Sequence, residues 1–376
     1  MTEREYAGST IITVNTGSSS VRLAAFACDE GRALSALATE HHALAGEGAL
    51  EVLQRFVGAN VPGGVAAVAH RVVHGGRQLV KSCLLDEAAE HEITRLAPLA
   101  PLHNPTALHW IGAARSMLGD TPQVGVFDTA FYTNLPEVAR TYAIPRALAD
   151  RHEIRRYGFH GLAHQAMWRR WQALNPDRAL KTRIISLQLG AGCSVTAIED
   201  GLPKDTSMGF SPLEGLVMAT RSGDVDPGLI SFLQRVEHWS PEDVDRVLSA
   251  ESGLLGLSGS SGDMRELLRA EDPHARLAVD LYTYRVRKYI GAYLTVLGGA
   301  DAIVFGGGVG EHAPAVRAAI LKNMEWAGVR LDAGANETTV AKAGRISHPD
   351  SKIEVWVIPV DEQQILAQEA LAVITR

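Results

Sequence analysis

The sequence predicts an α/β protein made of two related halves, and three observations carry that prediction. Short apolar runs of strand length alternate with helical patterns along the chain. Two separated stretches, IITVNTGSSSVRLAAF from Ile11 and IISLQLGAGCSVTAI from Ile184, share one design. At 376 residues the chain also exceeds the length over which a single core keeps growing, so two domains are expected.

In each repeated stretch a strand runs into a turn of small residues and leaves as a second strand. Ile11, Ile12 and Val14 precede Asn15 to Ser20, and Val21, Leu23 and Ala25 follow; Ile184, Ile185 and Leu187 precede Gln188 to Ser194, and Val195, Ala197 and Ile198 follow. Gly190 and Gly192 are expected to admit positive φ and to leave backbone N–H groups uncovered, as a phosphate cradle requires. A plain hairpin has the same need for glycine. The duplication favours the cradle: two related domains facing each other across a cleft, each offering turn N–H groups to one polyphosphate. A P-loop does not fit, because the residues after the turn alternate as in a strand and no GKS or GKT occurs.

The third glycine stretch, ADAIVFGGGVGEHAPAVRAAI, reads as a buried strand, then Gly306 to Gly310, then a helix containing Ala315, Val316, Ala319 and Ile320. Glu311 stands where the last glycine of a GxGxxG pattern belongs. Glycines after a strand still allow close approach of a ring or a ribose. A long helix is expected from Asp272-Pro273 to Gly298-Gly299, and a final strand and helix from KIEVWVIPVDEQQ, with Asp361 as N-cap.

Composition excludes several classes. Hydrophobic residues make up 46% and charged residues 21%, ordinary for a packed soluble protein, and the net charge of −7 offers no basic field to nucleic acid or an anionic membrane. No apolar run approaches the roughly 18 residues a membrane helix needs, and the first residues lack a signal-peptide core. Cys28, Cys83 and Cys193 form neither a disulfide framework nor a metal-ligand pattern, so a cytoplasmic protein is expected.

An anionic substrate must therefore be met by a few placed cations. Arg71 sits among valines in VAHRVVHGG, and Arg221 beside Gly223 in MATRSGDVDPG; a guanidinium so placed serves either a phosphate or a structural ion pair. Asp128 ends an apolar strand, where carboxylates of α/β proteins face a ligand crevice. The i, i+4 pairs His160/His164 and His70/His74 raise zinc as an alternative. No HExxH is present, His70 and His74 read as strand and turn, and His164 reads as a core histidine.

The motifs VNTGSSSVR, HRVVHGG, APLHNP, FDTAF, RRYGFHG, DTSMGFSPLEGLVMATRSGDVDP, SGLLGLSG and GGGVGE, in this order over nearly the whole chain, resemble the acetate and propionate kinase family. This family is part of the superfamily of actin, sugar kinases and the Hsp70 nucleotide domain. The resemblance implies two duplicated ribonuclease-H-like domains in the actin-like ATPase fold. It also implies a homodimer, and Mg²⁺-dependent phosphoryl transfer between ATP and acetate, with Mn²⁺ as an alternative ion. By matching positions, Arg71, Asp128, His160 and Arg221 surround the transferred group. Val73, Leu102, Phe159 and Pro212, with Arg71, hold the acyl substrate. Asn15, Ser18, Ser20, Arg22, Gln188, Gly190 and Gly192 face phosphates, while Asp263, Met264, Arg265, Gly308, Val309, Gly310 and His312 border the nucleotide. Asn15 and Glu362 hold the metal. Bulk at Val73 favours acetate over propionate, though one methylene is discriminated by only about 1 to 3 kcal/mol.

Acetate is ionised at neutral pH, so Asp128 is expected to orient the metal rather than to act as a base. The chain departs from the family pattern on the donor side. Gln188-Leu189-Gly190-Ala191-Gly192 stands for HLGNG, Arg22 for lysine, Tyr132 for histidine, Leu162-Ala163 for Thr-Ser, and His312 for asparagine. These edits leave open another donor, pyrophosphate or another nucleotide, a preference for propionate, or a nucleotide-binding protein without catalysis. The expected domains are residues 1–130 with 363–376, on the acyl and phosphate side, and residues 131–362, which bind nucleotide and dimerise.

Overall fold

The computed structural model describes residues 8–17, 20–28, 34–44, 47–178 and 181–376. Ser18 of the first turn lies outside them. The chain divides into two compact units: Met1–Thr133 with Phe159–Ala166 and Asp361–Arg376, and Asn134–Gly158 with Met167–Val360. The first unit takes in 159–166, which the sequence division gives to the second domain.

The first unit holds a six-stranded sheet of β1 (Thr10–Thr16), β2 (Ser20–Cys28), β3 (Leu34–Ala43), β4 (Val65–Val72), β5 (Cys83–Leu84) and β6 (Gln123–Phe127), in the order β3-β2-β1-β4-β6-β5. The second holds β7 (Arg183–Leu189), β8 (Cys193–Glu199), β9 (Leu202–Thr206), β10 (Ala302–Gly306), β11 (Gly344–Arg345) and β12 (Glu354–Val357), in the order β11-β12-β10-β7-β8-β9. The two orders are the same path. In each, three antiparallel strands are followed by two parallel ones and a short antiparallel edge strand. The duplication expected from the two hairpins is therefore a duplication of whole sheets.

The strands are apolar on both faces because helices cover both. Ile12, Val14, Val21, Leu23 and Val68 pack with Val52, Leu53, Phe56, Trp110 and Ala114, whereas Ile11, Ala67, Ala69, Val124 and Val126 pack with Ile365, Leu366, Ala367 and Ala370. The last four lie on the helix Glu362–Ile374, whose N-cap Asp361 accepts from the Gln364 N–H as expected. That packing carries Glu362 to the sheet although it lies 347 residues from Asn15. In the second unit the long helix spans Pro273–Leu297 and ends on left-handed Gly298. No described helix is long and apolar enough to cross a membrane.

Two local expectations change. Neither Gly190 nor Gly192 adopts positive φ: the turn closes in ordinary backbone geometry through Gly190 N–H to Gly192 O at 3.1 Å, so that N–H is spent within the turn. The glycines of the third stretch do not form a turn before a helix; they are themselves helical, over Gly307–His312, ahead of the helix Pro314–Leu321. Gly307 does need its special freedom, with φ of 76° and room for only a hydrogen where a Cβ would lie 2.7 Å from Leu189 O.

Three histidines are buried in the first unit. Burial lowers His70 and His74 to about 4 and His164 to about 3. Below pH 6.5 the unfolded chain binds protons that these folded rings refuse, so stability is lost as pH falls from about 6.5 toward 4. The slope is on the order of 1.4 kcal/mol per pH unit for each ring. Asp128, raised by burial, opposes this as one group against three. Urea midpoints should therefore drop steeply between pH 7 and 5; a flat profile would mean that these rings are charged in the fold.

Candidate active site

Register builds the first half of the site. Parallel pairing of β1 with β4, and of β4 with β6, sets the carboxyl ends of the three strands side by side, with Val14 opposite His70 and Arg71 opposite Val126. Asn15, Arg71 and Asp128 thus emerge together at the end of the sheet where ligands bind α/β proteins. Arg71 grips Asp128 with both arms of its fork, Nε to Oδ1 at 3.1 Å and Nη2 to Oδ2 at 2.7 Å. Its Nη1 donates to Asn15 Oδ1 at 3.2 Å and lies 3.8 Å from Glu362 Oε2, and Asn15 Nδ2 donates to the same Glu362 oxygen at 2.7 Å. Burial lowers the pKa of Arg71, but the Asp128 and Glu362 carboxylates more than offset that and leave it raised. For Asp128 burial pushes the carboxyl up, while Arg71 and the His160 backbone N–H pull it down.

Two carboxylates against one guanidinium leave this cluster one net negative charge and a set of hard oxygen donors. That fits a divalent cation which takes its remaining ligands from phosphate and water. Among the described residues, no group of three or more His, Cys, Asp or Glu side chains gathers to hold a metal by protein alone.

His160 sits beside the cluster in a left-handed conformation, φ 58°, costing about 1 to 3 kcal/mol for a residue with a side chain. It precedes the helix Gly161–Leu174, and its carbonyl accepts from the His164 N–H at 3.0 Å. Gly161 packs so closely that a Cβ there would lie 2.0 Å from Asp128 O. Of the acyl candidates in this unit, Val73 is 5% and Phe159 1% exposed, but Leu102 is 65% exposed. The reason is local: Leu102 lies in the turn before the helix Asn104–Leu118, and Asn104 is the residue that faces inward. Ser20 closes the first turn through its carbonyl, and the Arg22 side chain is exposed.

In the second unit the equivalent strand ends carry the donor-side candidates. Gln188 pairs with Gly306 across β7 and β10, so the glycine helix abuts the hairpin turn. Ala191 is exposed, yet its carbonyl accepts from Ala219 N–H at 3.0 Å and ties the turn to the segment leading to Arg221. The Gln188 side-chain oxygen is buried without a hydrogen-bond partner among the described residues. Arg221 is half-buried and donates to Pro212 O at 3.0 Å; among the described residues of its unit no carboxylate lies within ion-pair reach. Burial lowers its pKa. Gly308 is open, with nothing within 4 Å of a hypothetical Cβ, while Val309 and Gly310 are more enclosed. His312 Nδ1 meets Gly308 O at 3.1 Å. Asp263 caps the short helix Met264–Leu267 and pairs with exposed Arg265, whereas Met264 is buried.

A family model described as the Acetokinase family matches residues 18–368. The chain belongs to the acetokinase family. It is 47% identical over 318 residues to an acetate kinase of Chloroherpeton thalassium, covering 83% of this chain and 76% of that one. An acetate kinase of Streptomyces avermitilis is 42% identical over 364 residues, covering 96% and 89%. Among solved structures, Porphyromonas gingivalis acetate kinase superposes with a TM-score of 0.84 at 35% identity, over 98% and 99% of the two chains. A propionate kinase of Francisella tularensis gives 0.85 at 33%, over 96% and 98%. The two sheets are thus the duplicated actin-like ATPase domains of this family.

Several supporting residues escaped the reading of motifs. Asn104, inside APLHNP, accepts from His74 N–H at 3.2 Å and donates to His74 O at 3.0 Å, clamping the turn after Val73. Thr129, inside FDTAF, accepts from Gly75 N–H at 2.9 Å. Glu311 reaches back to the N–H groups of Gly307 and Val360 at 2.9 and 3.1 Å, which explains why a carboxylate replaces the last glycine of the pattern. Fully buried Arg317 donates to the carbonyls of Gly310 and Glu311. The one available signal was a polar residue inside an otherwise apolar or helical pattern.

Replacing Asp128 by alanine leaves the Arg71 guanidinium without its bidentate partner in a buried setting. The variant should lose about 3 kcal/mol or more of unfolding free energy in denaturant titration, against less than about 1 kcal/mol for an exposed pair such as Arg146–Asp150.

Proposed function

We infer that this chain is an acetate kinase, transferring the γ-phosphoryl group of ATP to acetate and, in reverse, that of acetyl phosphate to ADP. The observation that carries this is the convergence of Asn15, Arg71, Asp128 and Glu362 from four distant segments into one hydrogen-bonded cluster at the strand ends, in a chain of the acetokinase family. A structural ion pair would need only the arginine and one carboxylate. The further amide and carboxylate make an oxygen-rich seat suited to phosphate and its cation.

The roles follow from charge. The acetate nucleophile is already ionised, so no side chain is asked to remove a proton. A loose in-line transition state spreads negative charge over three equatorial oxygens, and catalysis is then positioning and electrostatics. We assign the guanidiniums of Arg71 and Arg221 and the ring of His160 to that charge. Arg221, half-buried with no carboxylate within ion-pair reach among the described residues of its unit, has an electrostatic need for an anion. Arg71 is pre-aligned by Asp128, which fixes the plane of its fork before substrate arrives. Val73 and Phe159 form the first unit's apolar seat for the methyl group. Glu362 and Asn15, supported by Asp128, would hold Mg²⁺, which when bound neutralises polyphosphate charge. The glycine helix with Gly308 would take the nucleoside.

We assign dimer formation to the helix Pro227–Val236, where Leu229, Phe232 and Val236 are 42, 51 and 53% exposed on one stripe, together with Leu277 and Tyr284 of the long helix, at 55 and 58%. Cys28, Cys83 and Cys193 are thiols outside any disulfide, which agrees with a reducing, cytoplasmic setting.

Purified protein with Mg²⁺, ATP and acetate should form an acyl phosphate trapped as hydroxamate, more efficiently than with propionate, GTP or pyrophosphate. Arg221→Ala should lose on the order of a hundredfold or more in kcat without a change in unfolding midpoint; parental turnover in that variant would remove Arg221 from the mechanism. In sedimentation velocity the parent should run as a dimer and Phe232→Asp as a monomer.

A further inference from the structure

The turn that presents His160 is held from outside by a residue with no place in the mechanism so far. Tyr132 ends the 3₁₀ segment Asp128–Tyr132, is 1% exposed, and donates its hydroxyl to the Phe159 carbonyl at 2.8 Å. Phe159 is itself 1% exposed, so its carbonyl has no access to bulk water. The next residue, His160, holds its left-handed φ of 58°, and the one after, Gly161, lies against Asp128 O. The turn 159–161 is therefore pinned at both ends by the same segment, through the Tyr132 hydroxyl at Phe159 and the Asp128 backbone at Gly161. A strained residue persists only where its surroundings over-determine it.

We propose that Tyr132 is a positioning residue for the acyl side of the site. Its hydroxyl fixes the Phe159 carbonyl and thereby sets both the Phe159 ring in the methyl seat and the backbone of His160, whose N–H reaches the Asp128 carboxylate and from which the imidazole departs. This rests on the roles given above to Phe159 and His160. Tyr132 is also a position where the chain departs from the family pattern, which has histidine there.

Tyr132→Phe deletes the hydrogen bond to the Phe159 carbonyl and keeps the ring. In the full-length protein kcat should fall about tenfold and KM for acetate should rise several-fold. KM for ATP should stay within twofold and Tm should drop by no more than a few degrees. Unchanged constants, or both KM values rising in step with a large loss of Tm, would overturn the proposal. The control Tyr157→Phe, which removes a hydroxyl bonded to Glu153 O at 2.8 Å, should change none of these constants. A second readout needs no turnover: in ¹⁵N-histidine NMR spectra the His160 ring signals should shift in Tyr132→Phe while those of His70 stay in place, and unmoved His160 signals would overturn the clamp. Should the parent form no acyl phosphate, the kinase reading falls and the spectra alone decide the role of Tyr132.

Discussion

The bidentate pair between Arg71 and Asp128 is the interaction on which the first unit's chemistry depends, and nearly everything around it serves to keep it in place. A guanidinium and a carboxylate taken from water toward a sheet interior need each other. The parallel register of β4 and β6 supplies the separation at which both arms of the fork engage. Asn15, the next strand over, satisfies the remaining arm, and Glu362 adds the charge that turns a neutral pair into an anionic, oxygen-rich cluster. The segment after Asp128 then does three further jobs within five residues. Thr129 holds Gly75, the Asp128 backbone seats Gly161, and Tyr132 holds Phe159. One short 3₁₀ stretch ties the arginine strand, the histidine turn and Phe159 to the same carboxylate.

The second unit repeats the path of the sheet but not its charge. Where the first unit has an asparagine bonded to an acid at the strand end, the second has Gln188 with a buried side-chain oxygen that finds no partner among the described residues, a turn closed on itself, and a glycine helix braced by Glu311 and Arg317. Its cation, Arg221, is steadied by a carbonyl instead of a carboxylate. This division suits a duplicated scaffold in which one copy keeps fixed charge of both signs and the other keeps a cation with no carboxylate within ion-pair reach among the described residues of that unit. The edits in this chain relative to the family pattern fall into two groups. Tyr132, Leu162 and Ala163 are buried and act through packing or backbone hydrogen bonds, while Ala191 in its turn, Arg22 on β2 and His312 at the end of the glycine helix are exposed.

How much was legible in the sequence differs from element to element, for reasons that are physical. The hairpins at Asn15 and Gln188, the long helix Pro273–Leu297 and the Asp361 cap could be read because alternation, a proline at the first turn and a capping side chain act over neighbouring residues. Asp128 at a strand end and Arg71 among valines were also local signals, and the ordered motifs identified the family. Register was not local. That Arg71 meets Asp128 rather than a phosphate alone, that Glu362 returns to Asn15, and that His160 takes up positive φ follow from strands and a terminal helix packing across long separations. The turn glycines were misread for the same reason, since φ depends on which neighbour arrives. The sequence by itself determined the elements, the duplication and the residue types the chemistry needs. Only the tertiary structure decided which of those residues touch, because a hydrogen-bonded charge cluster is a property of distances that no stretch of neighbouring residues contains.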